Sequence, residues 1–471
     1  MTDQPTDLAM SIQASLEASG EEVLRPMGLR RILIGPGVLE RLPAEVADVA
    51  SPGRIVMFED ATPMQRGNDD LKALAASLLS TVGEVDRVVL GPSHGRLHAD
   101  ADTLAAARAA ATGAGCLVTV GSGTLTDVGK DASHANPGLP LVVVQSAASV
   151  NGFADDMAVV VKDGVKRTVQ SVWPSCLLID HQILRDAPAH LTQSGFAEMM
   201  AMFTAPADWR LAALVGIDLS YSRKVIDMFR QRGEDLLVAA PSVAAGDGAG
   251  LDLLATLLTA SGVAMGVVGR TAVLSGAEHL ISHLLDMSAA SRGLAVGLHG
   301  AQVGVGALVA ACMWEHVLDR LDPDILRSDV AFPDPTGVRP LVLKAFASLD
   351  STGAAAAECW ADYQGKLASW HQHRPRVVAM AERWEEAAAE LRRLVGDPVR
   401  MASALRAVGA PTRFSDLDPP VDPDRARWAV SSSHLMRNRF TVADLAFFTG
   451  NWSSNDIDAV LDRAAELGGG L

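Results

Sequence analysis

The first 180 residues alternate short, nearly continuous apolar runs with longer segments of Ala, Leu and polar residues. The runs are of strand length: RILIG at 31–35, RIVMFE at 54–59, RVVLG at 87–91, CLVTVG at 116–121, LVVVQS at 141–146 and CLLID at 176–180. A strand with no polar face is buried on both sides, which points to a parallel sheet covered by helices. The segments DDLKALAASLLSTVG at 69–83 and ADTLAAARAAATG at 101–113 have the composition of those helices. The stretch MAVVVKDGVKRTVQ at 157–170 differs. Two alternating runs meet there at Asp163-Gly164, a hairpin signal, so a hairpin is inserted before the last strand.

After about residue 187 the strand pattern stops, and Ala, Leu, Met, Glu and Arg dominate. The expected organisation is an α/β domain over 1–187, a Rossmann-like parallel sheet, followed by an all-helical domain over 188–471. Loops are expected at APSVAAGDGAG (240–250), FPDPTGVRP (332–340) and DLDPPVDPD (416–424). A chain of 471 residues is long enough for two or three cores. Its net charge of -16 argues against nucleic acid or an anionic membrane as the main partner. No uninterrupted apolar run of membrane-spanning length is seen, and the acidic N-terminus lacks the features of a signal peptide, so a cytoplasmic protein is expected. Cys116, Cys176, Cys312 and Cys359 lie far apart with no CxxC pair, which suggests neither a zinc knuckle nor a disulfide scaffold.

Three kinds of chemistry stand out. In VTVGSGTLTDVGKDASH (118–134) a strand ends in Gly121-Ser122-Gly123-Thr124 and enters a helix. Glycines there let backbone N–H groups approach a ligand, and a helix start favours a phosphate, although a plain tight turn has the same sequence. Glu59 ends the second strand, a place to hold an adenosine ribose or simply to cap a helix. In the helical half, Glu198 stands among Met and Ala, where an unpaired charge is costly. A metal ion would satisfy it, with His279 and His299 completing a set of one carboxylate and two imidazoles and leaving positions open for substrate or water. Core or surface histidines are the alternative. His279 and His283, in SGAEHLISH (275–283), share one face of a helix.

Taken in order, the Gly-Pro-Gly at 35–37, GSGTLTDVGK at 121–130, SAASVNGFA at 146–154, ADWRL at 207–211, SGAEHLISH, LHGAQVGVG at 298–306, GAPTRFSDL and MRNRFTVADL resemble the glycerol-1-phosphate dehydrogenases. These belong to the superfamily of iron-containing alcohol dehydrogenases, glycerol dehydrogenase and dehydroquinate synthase. The resemblance implies a dehydroquinate synthase-like fold, with a dinucleotide-binding domain, a helical metal-binding domain and the active site in the cleft between them. It implies NAD or NADP as cofactor and a divalent metal, zinc in the first place, with iron or nickel as alternatives. By the same resemblance Gly121, Ser122, Gly123, Thr124 and Asp127 form the pyrophosphate loop, Ser146 and Ser149 lie near the nicotinamide, and Glu59 lies near the adenosine ribose. Glu198, His279 and His299 are the implied metal ligands. His283 lies beside the substrate, off the metal, and with Asn151 is assigned a catalytic role. The implied activity is reversible oxidation of a small polyol or polyol phosphate by a homo-oligomer.

The chain also departs from the family pattern. Glu198 stands where the dehydrogenases usually carry Asp, Met202 where they carry Lys, and Asn151 where they carry Asp. One cation and one anion are lost together, so the net charge of the site is nearly kept. The expected consequence is weak turnover of dihydroxyacetone phosphate, improved by Met202→Lys with Asn151→Asp. Any phosphate would then rely on Arg437 and Arg439, unless these are surface charges on a helix. Two other readings stay open: a dehydroquinate synthase-like carbon–oxygen lyase with bound NAD, which Glu198 favours, and a non-catalytic nucleotide-binding member of the fold.

Overall fold

The computed structural model describes residues 5–19, 24–92, 97–162 and 165–471. They form two compact units, Met1–Gly195 with Asp227–Arg270, and Phe196–Ile226 with Thr271–Leu471.

The first unit is built on a seven-stranded sheet. Its strands include β1 (Arg31–Gly35), β2 (Arg54–Glu59), β3 (Val85–Val89), β4 (Ala114–Gly121) and β5 (Leu141–Gln145). A hairpin of β6 (Met157–Lys162) and β7 (Val165–Gln170) follows as a separate two-stranded sheet, and then β8 (Cys176–Asp180). The turn residues Asp163 and Gly164 lie outside the described residues. The main sheet runs β3-β2-β4-β5-β8-β1, all parallel, with the short strand Thr6–Asp7 antiparallel on β1.

Crossovers β1→β2→β3 travel one way across this sheet and β3→β4→β5 the other. Right-handed connections therefore place α1 (Leu42–Val49) and α2 (Leu71–Leu79) on one face, and α3 (Ala101–Ala111) and α4 (Gly123–Ala135) on the opposite face. Alternate residues Ile55, Met57, Cys116, Val118, Val142, Val144 and Leu178 pack in one cluster with Leu42 and Val46 of α1 and Leu71, Ala75 and Leu79 of α2. The direction of winding reverses between β2 and β4. Their carboxyl ends, Glu59 and Gly121, thus flank the switch point where open α/β sheets bind ligands. The edge strand β3 spans 85–89 rather than 87–91, because at the rim only Val85 and Val88 are half-buried while Asp86 and Arg87 face solvent.

The sequence boundary at 187 assigns everything after it to one helical domain, whereas 227–270 groups with the sheet. The reason is close packing of the helix Gly248–Val268 inside the first unit. A Cβ at Gly262 would stand 2.4 Å from the Asn151 carbonyl oxygen, and one at Gly266 2.1 Å from the Trp173 ring. The expected loops are also shorter. Helices begin at Gly248, Pro335 and Pro423, with Asp334 and Asp422 capping the last two through their side chains.

The second unit is helical. Ala277–Ser291 packs along His299–Arg320, and both enter a core that includes Trp314, Tyr363 and Trp370. Gly248–Val268 and His299–Arg320 are long and apolar enough to cross a membrane, but 83% and 89% of their most apolar windows are buried in the protein. They are core helices.

Candidate metal centre and dinucleotide loop

Glu198 ends the helix Ala189–Glu198, His279 lies in the first turn of Ala277–Ser291, and His299 opens His299–Arg320. Although 81 and 20 residues separate them in sequence, their ligand atoms all lie within 4.8 Å of one another. His279 Nε2 is 3.3 Å from Glu198 Oε1, and His299 Nε2 is 3.9 Å from Oε2. Two atoms bound to one ion at about 2.0–2.2 Å are separated by no more than about 4.4 Å, so both distances suit a shared ion. Glu198 Oε2 is buried without a hydrogen-bond partner.

The outer contacts of both imidazoles fix their tautomers. The Glu278 carboxylate accepts from the Gly276 N–H at 2.5 Å and the Thr204 hydroxyl at 2.8 Å. It is therefore an acceptor for His279 Nδ1–H, 3.0 Å away. The Ser282 hydroxyl donates to Gln302 Oε1 at 2.7 Å, so the 3.1 Å contact between Ser282 Oγ and His299 Nδ1 has the imidazole as donor. With both Nδ1 atoms committed as donors, each Nε2 is the nitrogen turned to Glu198, and once it gives up a proton it offers the lone pair that a divalent cation requires. Burial opposes a charge on His279, but hydrogen bonds and charges from Glu198 and Glu278 outweigh it and raise its pKa to about 9. Burial likewise opposes the Glu198 carboxylate, and His299 and His279 nevertheless hold its pKa below the usual value. A cation between these groups would replace the proton they attract.

His283 lies one turn beyond His279, its ring 5.7 Å from that of His299. Burial and the charges of Arg437, His299, His279 and Arg439 push its pKa well below the ordinary histidine value, so it is neutral at physiological pH. Arg437 and Arg439 are not on a helix. They lie in the segment between Ser433–Leu435 and Val442–Phe448, with Arg437 at φ 58°. Arg439 donates to the hydroxyls of Ser275 and Thr271. Burial, with Arg437 adding to it, lowers its pKa to about 10. The segment is pinned from below by the buried Lys366, whose Nζ reaches the carbonyls of His434 and Arg439 at 2.5 and 3.1 Å and Asp444 Oδ1 at 2.7 Å. Asp208 ties it to the histidine helix, accepting from the N–H of Ala277 and of Val442, both at 2.8 Å. Met202 is wholly buried in the short helix Met199–Phe203.

In the first unit, β4 ends at Gly121 and α4 begins at Gly123. The N-cap Ser122 makes no side-chain cap bond, so its side chain satisfies none of the first N–H groups of α4. A Cβ on Gly123 would lie 2.8 Å from Val150 Cγ2. Ser122, Gly123, Thr124 and Asp127 are half-buried, and Ser146 and Ser149 are buried in the segment after β5, with Asn151 half-buried beyond them. Lys130 of α4 holds this segment through Gly152 O at 2.6 Å, Asp155 Oδ1 at 2.5 Å and Met157 O at 2.9 Å. Glu59 is buried at the end of β2, with Arg87 at 3.0 Å from both carboxylate oxygens.

Residues 33–188 match the iron-containing alcohol dehydrogenase family. A Bacillus licheniformis protein named glycerol-1-phosphate dehydrogenase [NAD(P)+] is 27% identical over 421 residues, 89% of each chain. A protein of the same name from Haloquadratum walsbyi is 31% identical over 282 residues, covering 60% of this chain and 76% of that one. The chain belongs to the glycerol-1-phosphate dehydrogenase family. Solved structures of this fold include a glycerol dehydrogenase from Schizosaccharomyces pombe, with a TM-score of 0.56 at 16% identity over 93% of this chain and 90% of that one. A probable glycerol dehydrogenase from Sinorhizobium meliloti has a TM-score of 0.55 at 16% identity, over 94% and 98%.

In this member of the glycerol-1-phosphate dehydrogenase family, sequence reasoning named neither the tautomer-fixing partners Ser282 and Gln302 nor the brace Asp208. Glu278 accepts from His279 Nδ1 at 3.0 Å. Asp208 sits inside ADWRL, but its two acceptor contacts reach 69 and 234 positions away, which no local pattern encodes.

Proposed function

We propose that the protein interconverts a secondary alcohol and a ketone on a small polyol phosphate, with NAD(H) or NADP(H) and a divalent metal. The observation that carries this reading is the convergence of Glu198, His279 and His299 beside two arginines whose charge bears on His283. Glu198, His279 and His299 are the proposed ligands of zinc, iron or nickel, and the units supply dinucleotide and metal binding respectively. When bound, the metal would supply Lewis-acid polarisation of the substrate oxygen and the nicotinamide would supply the hydride donor or acceptor. Glu278 and Ser282 orient the two imidazoles. Neutral His283 holds or passes the proton of the substrate hydroxyl at a ring nitrogen. Arg437 and Arg439 pair with the phosphate, since buried Met202 offers it no donor. Gly121–Thr124 and Asp127 receive the pyrophosphate, Glu59 lies at the adenosine ribose, and Ser146, Ser149 and Asn151 lie toward the nicotinamide.

Steady-state oxidation of NADH and NADPH by metal-loaded protein, with dihydroxyacetone phosphate against unphosphorylated dihydroxyacetone, tests the reading. Turnover of the phosphate is expected to be slow, for want of a lysine at Met202, and still to exceed that of the unphosphorylated ketone by about tenfold or more in kcat/KM, since a charge-assisted contact is worth that much. Equal or reversed preference would remove phosphate from the assignment. Turnover of neither ketone would overturn the dehydrogenase reading itself. Arg439→Ala is expected to raise KM for the phosphate about tenfold, with a smaller change in kcat. Gly123→Val is expected to weaken NADH binding by roughly thirtyfold or more, because a side chain there fills the approach to the helix start, and to lower the melting temperature as far as Val150, 2.8 Å from a Cβ at that position, has to shift. Unchanged NADH affinity in that variant would contradict the loop assignment.

A further inference from the structure

The end of β2 carries two adjacent buried carboxylates, Glu59 and Asp60. Phe58 pairs with Thr119, so these carboxylates lie level with Gly121 on the neighbouring strand, at the switch point of the sheet. In nucleotide-binding sheets a lone acid at this corner accepts the ribose hydroxyls and repels a 2′-phosphate. Neither acid is alone here. Arg87 Nη2 is 3.0 Å from both oxygens of Glu59, and Lys72 Nζ is 2.8 Å from Asp60 Oδ1. The two cations differ in placement. Lys72 is buried and also bonded to the carbonyls of Asp60 and Thr62. Arg87 lies outside the acid, its side chain 44% exposed against 6% for Glu59. A half-exposed pair is held weakly, so the guanidinium is able to turn to a phosphate arriving from solvent.

We propose that Arg87 determines the choice of dinucleotide, and that the protein binds NADP(H) at least as tightly as NAD(H). Arg87 cancels the repulsion that Glu59 would exert on the 2′-phosphate and supplies a bidentate partner for it. The proposal rests on the reading of Gly121–Thr124 as the pyrophosphate loop.

The test is isothermal titration of the full chain with NADP+ and with NAD+, at low and at raised salt. Arg87→Ala is expected to weaken NADP+ about tenfold or more while changing NAD+ less than about threefold, and Arg87→Lys, which keeps the charge but loses the bidentate fork, to recover only part of the NADP+ affinity. In the unaltered protein the NADP+ affinity should fall more steeply with salt than that of NAD+. Equal losses of both dinucleotides in Arg87→Ala, with Arg87→Lys no better, would overturn the proposal and leave the loop assignment standing. Discrimination of more than about a hundredfold against NADP+ in the unaltered protein would do the same. Binding of neither dinucleotide to the unaltered protein would overturn the underlying reading along with it.

Discussion

Replacing His279 by Ala is expected to leave the protein with less than about a tenth of an equivalent of divalent metal after dialysis, whereas His283→Ala retains it. The two histidines share a helix face, so the contrast separates a ligand from a neighbour. His279 Nδ1 is bound to Glu278 and its Nε2 faces Glu198, so its removal takes one of three donors and leaves Glu198 buried against a single imidazole. His283 lies outside the set of converging ligand atoms. Activity separates them differently. His279→Ala should lower kcat/KM by about a thousandfold or more, the scale of losing a Lewis acid, and His283→Ala by about a hundredfold, the low end of the range for losing an acid–base group. Metal loss in His283→Ala of the same size would show that the assignment of the pair is reversed.

Asp208→Ala is expected to cost more stability than any other single change near the site. The carboxylate is buried, and it accepts from the first N–H of Ala277–Ser291 and the first of Val442–Phe448. Each buried N–H left without an acceptor costs about 1–3 kcal/mol, so the two together cost roughly 2–6 kcal/mol. A partial offset is expected, because burial and the neighbouring Glu278 charge already push the Asp208 pKa well above its usual value, while its two backbone partners work the other way. In a unit of this size the loss appears as a fall in melting temperature of roughly 5–15 °C. Asp208→Asn, which keeps one acceptor oxygen, should fall about half as far. Loss of Asp208 also frees the arginine segment from the histidine helix, so KM for a phosphorylated ketone should rise with it. A melting temperature within about 2 °C of the unaltered protein would show that the brace carries little of the stability.

The sheet was legible because its interior strands are buried on both faces. RILIG, RIVMFE and CLLID match their strands residue for residue. The edge strand was displaced by two residues because Asp86, outward at the rim, separates Val85 from the run RVVLG by which the strand was recognised. The membership of 227–270 was not legible. Gly248–Val268 is apolar all round, a pattern that says a helix is buried but not against what, and only Gly262 and Gly266 mark where another segment comes close. At the site, residue type and order brought forward Glu198, His279, His283 and His299, because carboxylate and imidazole among apolar residues carry a signal of their own. Ser282 and Gln302 carry none, since a serine on a helix is ordinary until the imidazole opposite it is known.

X-ray absorption at the zinc edge of the zinc-loaded protein decides whether Glu198, His279 and His299 hold one ion. About one equivalent per chain is expected, in a sphere of two imidazole nitrogens and carboxylate oxygen at about 2.0–2.2 Å, completed by a further oxygen ligand and without sulfur. Less than about a tenth of an equivalent, or a sphere containing sulfur or a single imidazole, would contradict it.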